Sequence, residues 1–160
     1  MKALALVVLV LSALSFQTSF ADDFPTGPIK QLTPGKLCDQ PAEYRYPEKI
    51  AYCERDVAPA VKYKLMADYD RMFSFHIETM PRSDFKIDHY IPLCVGGSND
   101  VSNLWPQHKS VYTITDPLEE AVCEKMANGK LLQKDAVKLI VEAKNHLDEV
   151  PQILAQVHAM

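Results

Sequence analysis

Residues 85–107, FKIDHYIPLCVGGSNDVSNLWPQ, constrain the fold more tightly than any other stretch of this chain. An apolar run at 85–94 is strand-like, Gly96-Gly97-Ser98-Asn99-Asp100 is a turn, and residues 102–106 read as a returning strand. The spacing predicts a β-hairpin with Asp88-His89 on its first arm and Asn103 on its second, fourteen positions after His89. Trp105 lies among apolar neighbours and is read as core rather than as a stacking platform for bases. Gly96-Gly97 lacks the Lys-Ser/Thr that follows in a phosphate loop, so the pair is a turn device.

The first 21 residues read as a secretory signal peptide. Lys2 precedes an almost wholly apolar segment at 3–16, and Ser19-Phe20-Ala21 is a small-x-small cleavage signal. The apolar run is shorter than the ~20 residues that span a bilayer. A secreted or periplasmic protein is therefore expected, with no membrane attachment after cleavage. The chain from Asp22 onward carries 16 basic against 21 acidic side chains, a net charge of −5. Such a surface lacks the broad attraction that many nucleic-acid binders show, which leaves that role to a local basic face.

Four cysteines, Cys38, Cys53, Cys94 and Cys123, show no Cys-x-x-Cys spacing, so a zinc knuckle is not indicated. In an exported chain an even count favours two disulfides, with three possible connectivities. Cys38–Cys53 with Cys94–Cys123 is preferred, because it staples the N-terminal part locally and ties the hairpin to the next helix.

Residues 22–55, rich in Pro and Gly, are expected to form a loop-rich arm before a single domain at 56–160. A helix is predicted from Val57 to about Met72, with Val57, Val61, Leu65, Tyr69 and Met72 on one face. Asp116-Pro117-Leu118-Glu119 reads as the start of a second helix, with Asp116 as cap, and Gly129 ends it. Residues 132–147 form a third amphipathic helix, and Pro151 separates a short fourth one. The fold class is thus α+β.

A carboxylate, an imidazole and an amide gathered by one hairpin are the parts of a metal-assisted phosphodiester-cleaving site. Asp88 is a hard oxygen ligand suited to Mg²⁺ or Mn²⁺. A neutral His89 can take the proton of an attacking water. Neighbours in a strand point to opposite faces, so a local twist or bulge must bring both side chains to one site. Asn103 can fix the ring or the hairpin through its amide. Arg82, Lys86 and Lys109 are the first candidates for phosphate contacts, with Lys62, Lys64 and Arg71 as remoter ones. His76, His146 and His158 have no companions and are read as structural or surface groups.

These residues resemble the motif of the HNH endonucleases. The DH…N spacing and the GGSND…NLWPQ phrase are similar to the exported bacterial branch of that superfamily. The resemblance extends more weakly over residues 32–147, from Leu32-Thr33-Pro34-Gly35 to Leu131-Leu132. It implies a ββα-metal core with further packed helices and a disulfide-stapled arm. It also implies a divalent metal, Mg²⁺ first with Mn²⁺ or Zn²⁺ as options, and cleavage of DNA, with RNA a further option, at little sequence preference. Carried over by position, Asp88 matches a metal ligand, His89 the general base and Asn103 the residue that orients it. The family usually places a His or Asn about nine residues past that Asn, where this chain has Tyr112. His108 is the preferred substitute, with Asp116 or water as alternatives. The competing expectation is a non-catalytic, disulfide-stabilised binding protein on the same scaffold, which the acidic charge and the missing ligand favour.

Overall fold

The structure, a computed structural model, describes residues 22–160. The expected signal peptide lies outside them. The elements in order are β1 (Glu43–Arg45), β2 (Ile50–Tyr52), α1 (Pro59–Phe73), β3 (Phe85–His89), β4 (Leu104–His108), α2 (Lys109–Ala127), α3 (Gln133–Asn145) and α4 (Val150–His158). Among the described residues, four helices and two small antiparallel hairpins, β1–β2 and β3–β4, make the fold α+β.

The first arm of the β3–β4 hairpin starts at Phe85, as the apolar run suggests, but is shorter at its turn end. Strand pairing stops at His89, and residues 90–103 form a long connection containing two 3-10 turns. Asn103 explains this. Its buried side chain accepts from Ile91 N (2.9 Å) and donates to Ile91 O and Ser98 O (2.9 Å each), so the connection folds around one amide instead of extending the ladder. Gly97 is required there, because a Cβ at that position would lie 1.7 Å from Ile91 O. Gly96 supplies the left-handed turn, with φ +87°.

The largest departure from the sequence reading is α2. It begins at Lys109 rather than at Pro117, which lies inside it. Strand β4 hands over directly to the helix, and His108 is the cap: its Nδ1 accepts from Ser110 N at 3.3 Å. An interior proline costs ~3 kcal/mol. Val111, Leu118, Val122 and Met126 form one buried stripe across it, and each such side chain contributes ~1.5–3 kcal/mol, so burial outweighs the break.

The arm is not a separate appendage. Its residues 43–52 form the β1–β2 hairpin where weak periodicity predicts loop, with Tyr46 and Lys49 at positive φ in the turn. Phe24, Ile29 and Leu32 pack on the cluster formed by α1 and the β3–β4 hairpin, where Trp105 is fully buried. Thr33 Oγ1 donates to Leu104 O and pairs with Tyr69 Oη, both at 2.7 Å. A second cluster joins α2, α3 and α4 to Ile50, Ile91 and Val95. Disulfides link Cys38 to Cys53 and Cys94 to Cys123, the connectivity expected from locality. Two disulfides point to an oxidising compartment. Among the described residues, no helix is long and apolar enough to cross a membrane.

Candidate functional site

Register decides what the hairpin brings together. Phe85 faces His108, Ile87 faces Pro106 and His89 faces Leu104, while Lys86 faces Gln107 and Asp88 faces Trp105. Since side chains alternate, His89 and His108 share one face, and Asp88 and Lys86 share the other. His89 and His108 also sit at opposite ends of the ladder, roughly 13 Å apart by strand rise.

On the Asp88 face a buried ammonium dominates. Lys144 of α3, 1% exposed, places Nζ 2.7 Å from Asp88 Oδ2, 2.6 Å from His89 O and 2.7 Å from Glu119 Oε1 of α2. Two of its protons are donated, to Asp88 and to the His89 carbonyl, and the Glu119 contact is an ion pair. The other Asp88 oxygen lies 3.5 Å from Lys86 Nζ, which in turn is 2.6 Å from Asp116 Oδ1. Burial works to raise the Asp88 pKa, but Lys144 and Lys86 overcome it and hold the carboxyl below its ordinary range. Burial also pushes Glu119 up to about 7, against the pull of Lys144. The Lys144 ammonium is deeply buried as well, yet Asp88 and Glu119 raise its pKa.

These groups do not fit a divalent ion shared by Asp88 and His108. The two residues lie on opposite faces, and ligands to Mg²⁺ must approach within ~2.1 Å of one centre. Ammonium groups already sit where a cation would compensate Asp88. His108 is engaged elsewhere: its ring stacks on Phe24 with centroids 3.9 Å apart, and its Nδ1 lies 2.8 Å from Ser110 Oγ. Among the described residues, no three His, Cys, Asp or Glu side chains converge as a metal-holding group. Tyr112, at the position where the resemblance expects a ligand, lies under Lys86 Nζ, 4.9 Å from the ring centre.

His89 is 3% exposed, and its Nε2 lies 3.0 Å from Asn99 Oδ1. Asn99 therefore contacts the ring, whereas Asn103 contacts only the loop backbone and Lys36 N, at 3.4 Å. Of the two roles open to Asn103, the structure shows the one that fixes the hairpin. Asn99 was legible only as a turn residue, because its partner depends on how the connection folds. Burial depresses the His89 pKa below its ordinary value; the Asn99 hydrogen bond opposes this and the Arg55 charge adds to it. The ring is thus neutral at pH 7.

Asn99 also lines a cleft of about 760 Å³, together with Lys36, Gln40, Arg55, Ser98 and Asp100. Arg55 donates through Nη2 to Ile87 O at 3.0 Å, which fixes its guanidinium against β3 near His89. The three basic residues favoured from sequence lie toward the other end of the hairpin. Arg82 Nη1 donates to Phe85 O at 2.5 Å, Lys86 pairs with Asp116, and Lys109 Nζ is 2.9 Å from Asp84 Oδ1. Lys64 and Arg71 pair with Asp68 on α1. The cations bordering the Asn99 cleft, Lys36 and Arg55, belong to the N-terminal arm. Compared with family models, with curated proteins and with solved structures, the chain gives no match.

Proposed function

We propose that this protein is an exported hydrolase of phosphodiester bonds in nucleic acid, DNA first, built on the ββα hairpin-helix core that the HNH motif implies. The observation that carries this reading is His89, bonded to Asn99 in the wall of an open cleft that the Arg55 guanidinium also lines, with burial holding the imidazole pKa below its ordinary value. His89 takes the proton of the attacking water, and Arg55 neutralises the phosphate charge that repels it. A general base contributes ~10²–10⁴-fold. No step is assigned to a metal, because Asp88 is compensated by Lys144 and Lys86.

The test is nicking of supercoiled plasmid by the purified mature chain, run with Mg²⁺, with Mn²⁺ and in EDTA. His89→Ala is expected to lower the rate at least ~100-fold in a chain that still unfolds cooperatively. Full activity in that variant sinks the role of His89, and no nicking in any of the three buffers sinks the hydrolase reading. A second reading, a non-catalytic disulfide-stabilised binding protein, is favoured by the near-complete burial of His89 and by the engagement of Asp88 with Lys144. Retention of labelled DNA without cleavage in the same samples supports it.

A further inference from the structure

We infer that Asn99 is a positioning residue for His89: it fixes the proton on Nε2 and so makes Nδ1 the basic nitrogen. This rests on the hydrolase reading for its consequence, but its geometry stands independently. A neutral imidazole carries one proton, and the partner of either nitrogen decides where that proton sits. Asn99 has one accepting and two donating sites. Its Nδ2 donates to Glu54 O at 2.7 Å, which turns Oδ1 toward the ring. Turning the amide over would set Oδ1 against the Glu54 carbonyl, acceptor against acceptor. With Oδ1 facing it at 3.0 Å, Nε2 must donate.

Both anchors of Asn99 are themselves held. Glu54 follows Cys53, which is bonded to Cys38, and precedes Arg55, whose Nη2 bonds Ile87 O on β3. On the other side, Ser98 O accepts from Asn103 Nδ2, and Ser98 N donates to Lys36 O at 3.0 Å. The segment at 53–55 therefore acts as a strap over the hairpin, and Asn99 transmits its position to the imidazole. The N-terminal arm thus becomes part of the candidate active site. Had the ring chosen the other tautomer, its lone pair would be on Nε2, pointed at the Asn99 amide.

The experiment uses the full mature chain labelled with ¹⁵N-histidine. Long-range ¹H–¹⁵N spectra should show His89 as a pure Nε2–H tautomer with a resolved ring proton. Asn99→Ala should abolish that resolved proton. An Nδ1–H tautomer in the wild type, or a persistent Nε2–H proton in Asn99→Ala, overturns the assignment. In the nicking assay Asn99→Ala should lower kcat ~10–100-fold with KM within about twofold. Unchanged kcat overturns the positioning role. A wild type without nicking activity removes the hydrolase reading, and the spectra still decide whether Asn99 sets the tautomer.

Discussion

At the scale of the residue, the site is governed by one ammonium. Lys144 bonds Asp88, the His89 carbonyl and Glu119, and no solvent competes for it. Breaking such a buried group is costly because its partners, the Asp88 carboxylate above all, stay buried without compensation. Glu119 makes this measurable. Its pKa rises from 4.5 to about 7 on folding, so the folded state binds the proton more tightly. The sign follows by linkage: the Glu119 contribution is fully present below pH 4.5 and is lost as pH rises through about 7. Glu119→Gln cannot ionise. Relative to wild type it is expected to gain stability as pH rises across that window, read as a widening gap between urea midpoints. A gap of constant size contradicts the assignment.

Among the elements, the connection between β3 and β4 is the part most dependent on a single side chain. Asn103 satisfies Ile91 N, Ile91 O and Ser98 O in a buried setting. Each such group left without a partner costs ~1–3 kcal/mol. Asn103→Ala is therefore expected to destabilise the fold by ~3–5 kcal/mol, measured by urea unfolding at unchanged m value. A loss below 1 kcal/mol would falsify the account of the loop. The hairpin and the amphipathic helices α1 and α3 were legible because turn residues and periodicity are local signals. The start of α2 was not. Asp116-Pro117-Leu118-Glu119 carries a strong local start signal, and tertiary burial of Val111 and Thr115 upstream overrode it. His108 followed the same pattern: its residue type suits a metal, but its position at the strand-helix junction makes it a cap.

For the molecule as a whole, the two disulfides join parts whose cooperation forms the site. Cys38–Cys53 closes a loop with a sequence separation of 15 and tethers the strap to the arm. Closing such a loop contributes ~3 kcal/mol through the unfolded state. Replacing both residues by serine is expected to lower stability by about that amount. An unchanged urea midpoint would show that packing of Phe24, Ile29 and Leu32 holds the arm without the crosslink. The sequence by itself determined the hairpin and the burial of Trp105 and made the local cysteine pairing the preferred one of three, because each depends on neighbours within a short span. Only the tertiary structure decided that Lys144 reaches Asp88 across 56 residues, that Asn99 rather than Asn103 holds His89, and that the arm supplies Arg55 and Lys36. Partners of that kind come from helices and straps docked by the burial of apolar surface, which is not directional and leaves no short-range mark in the chain.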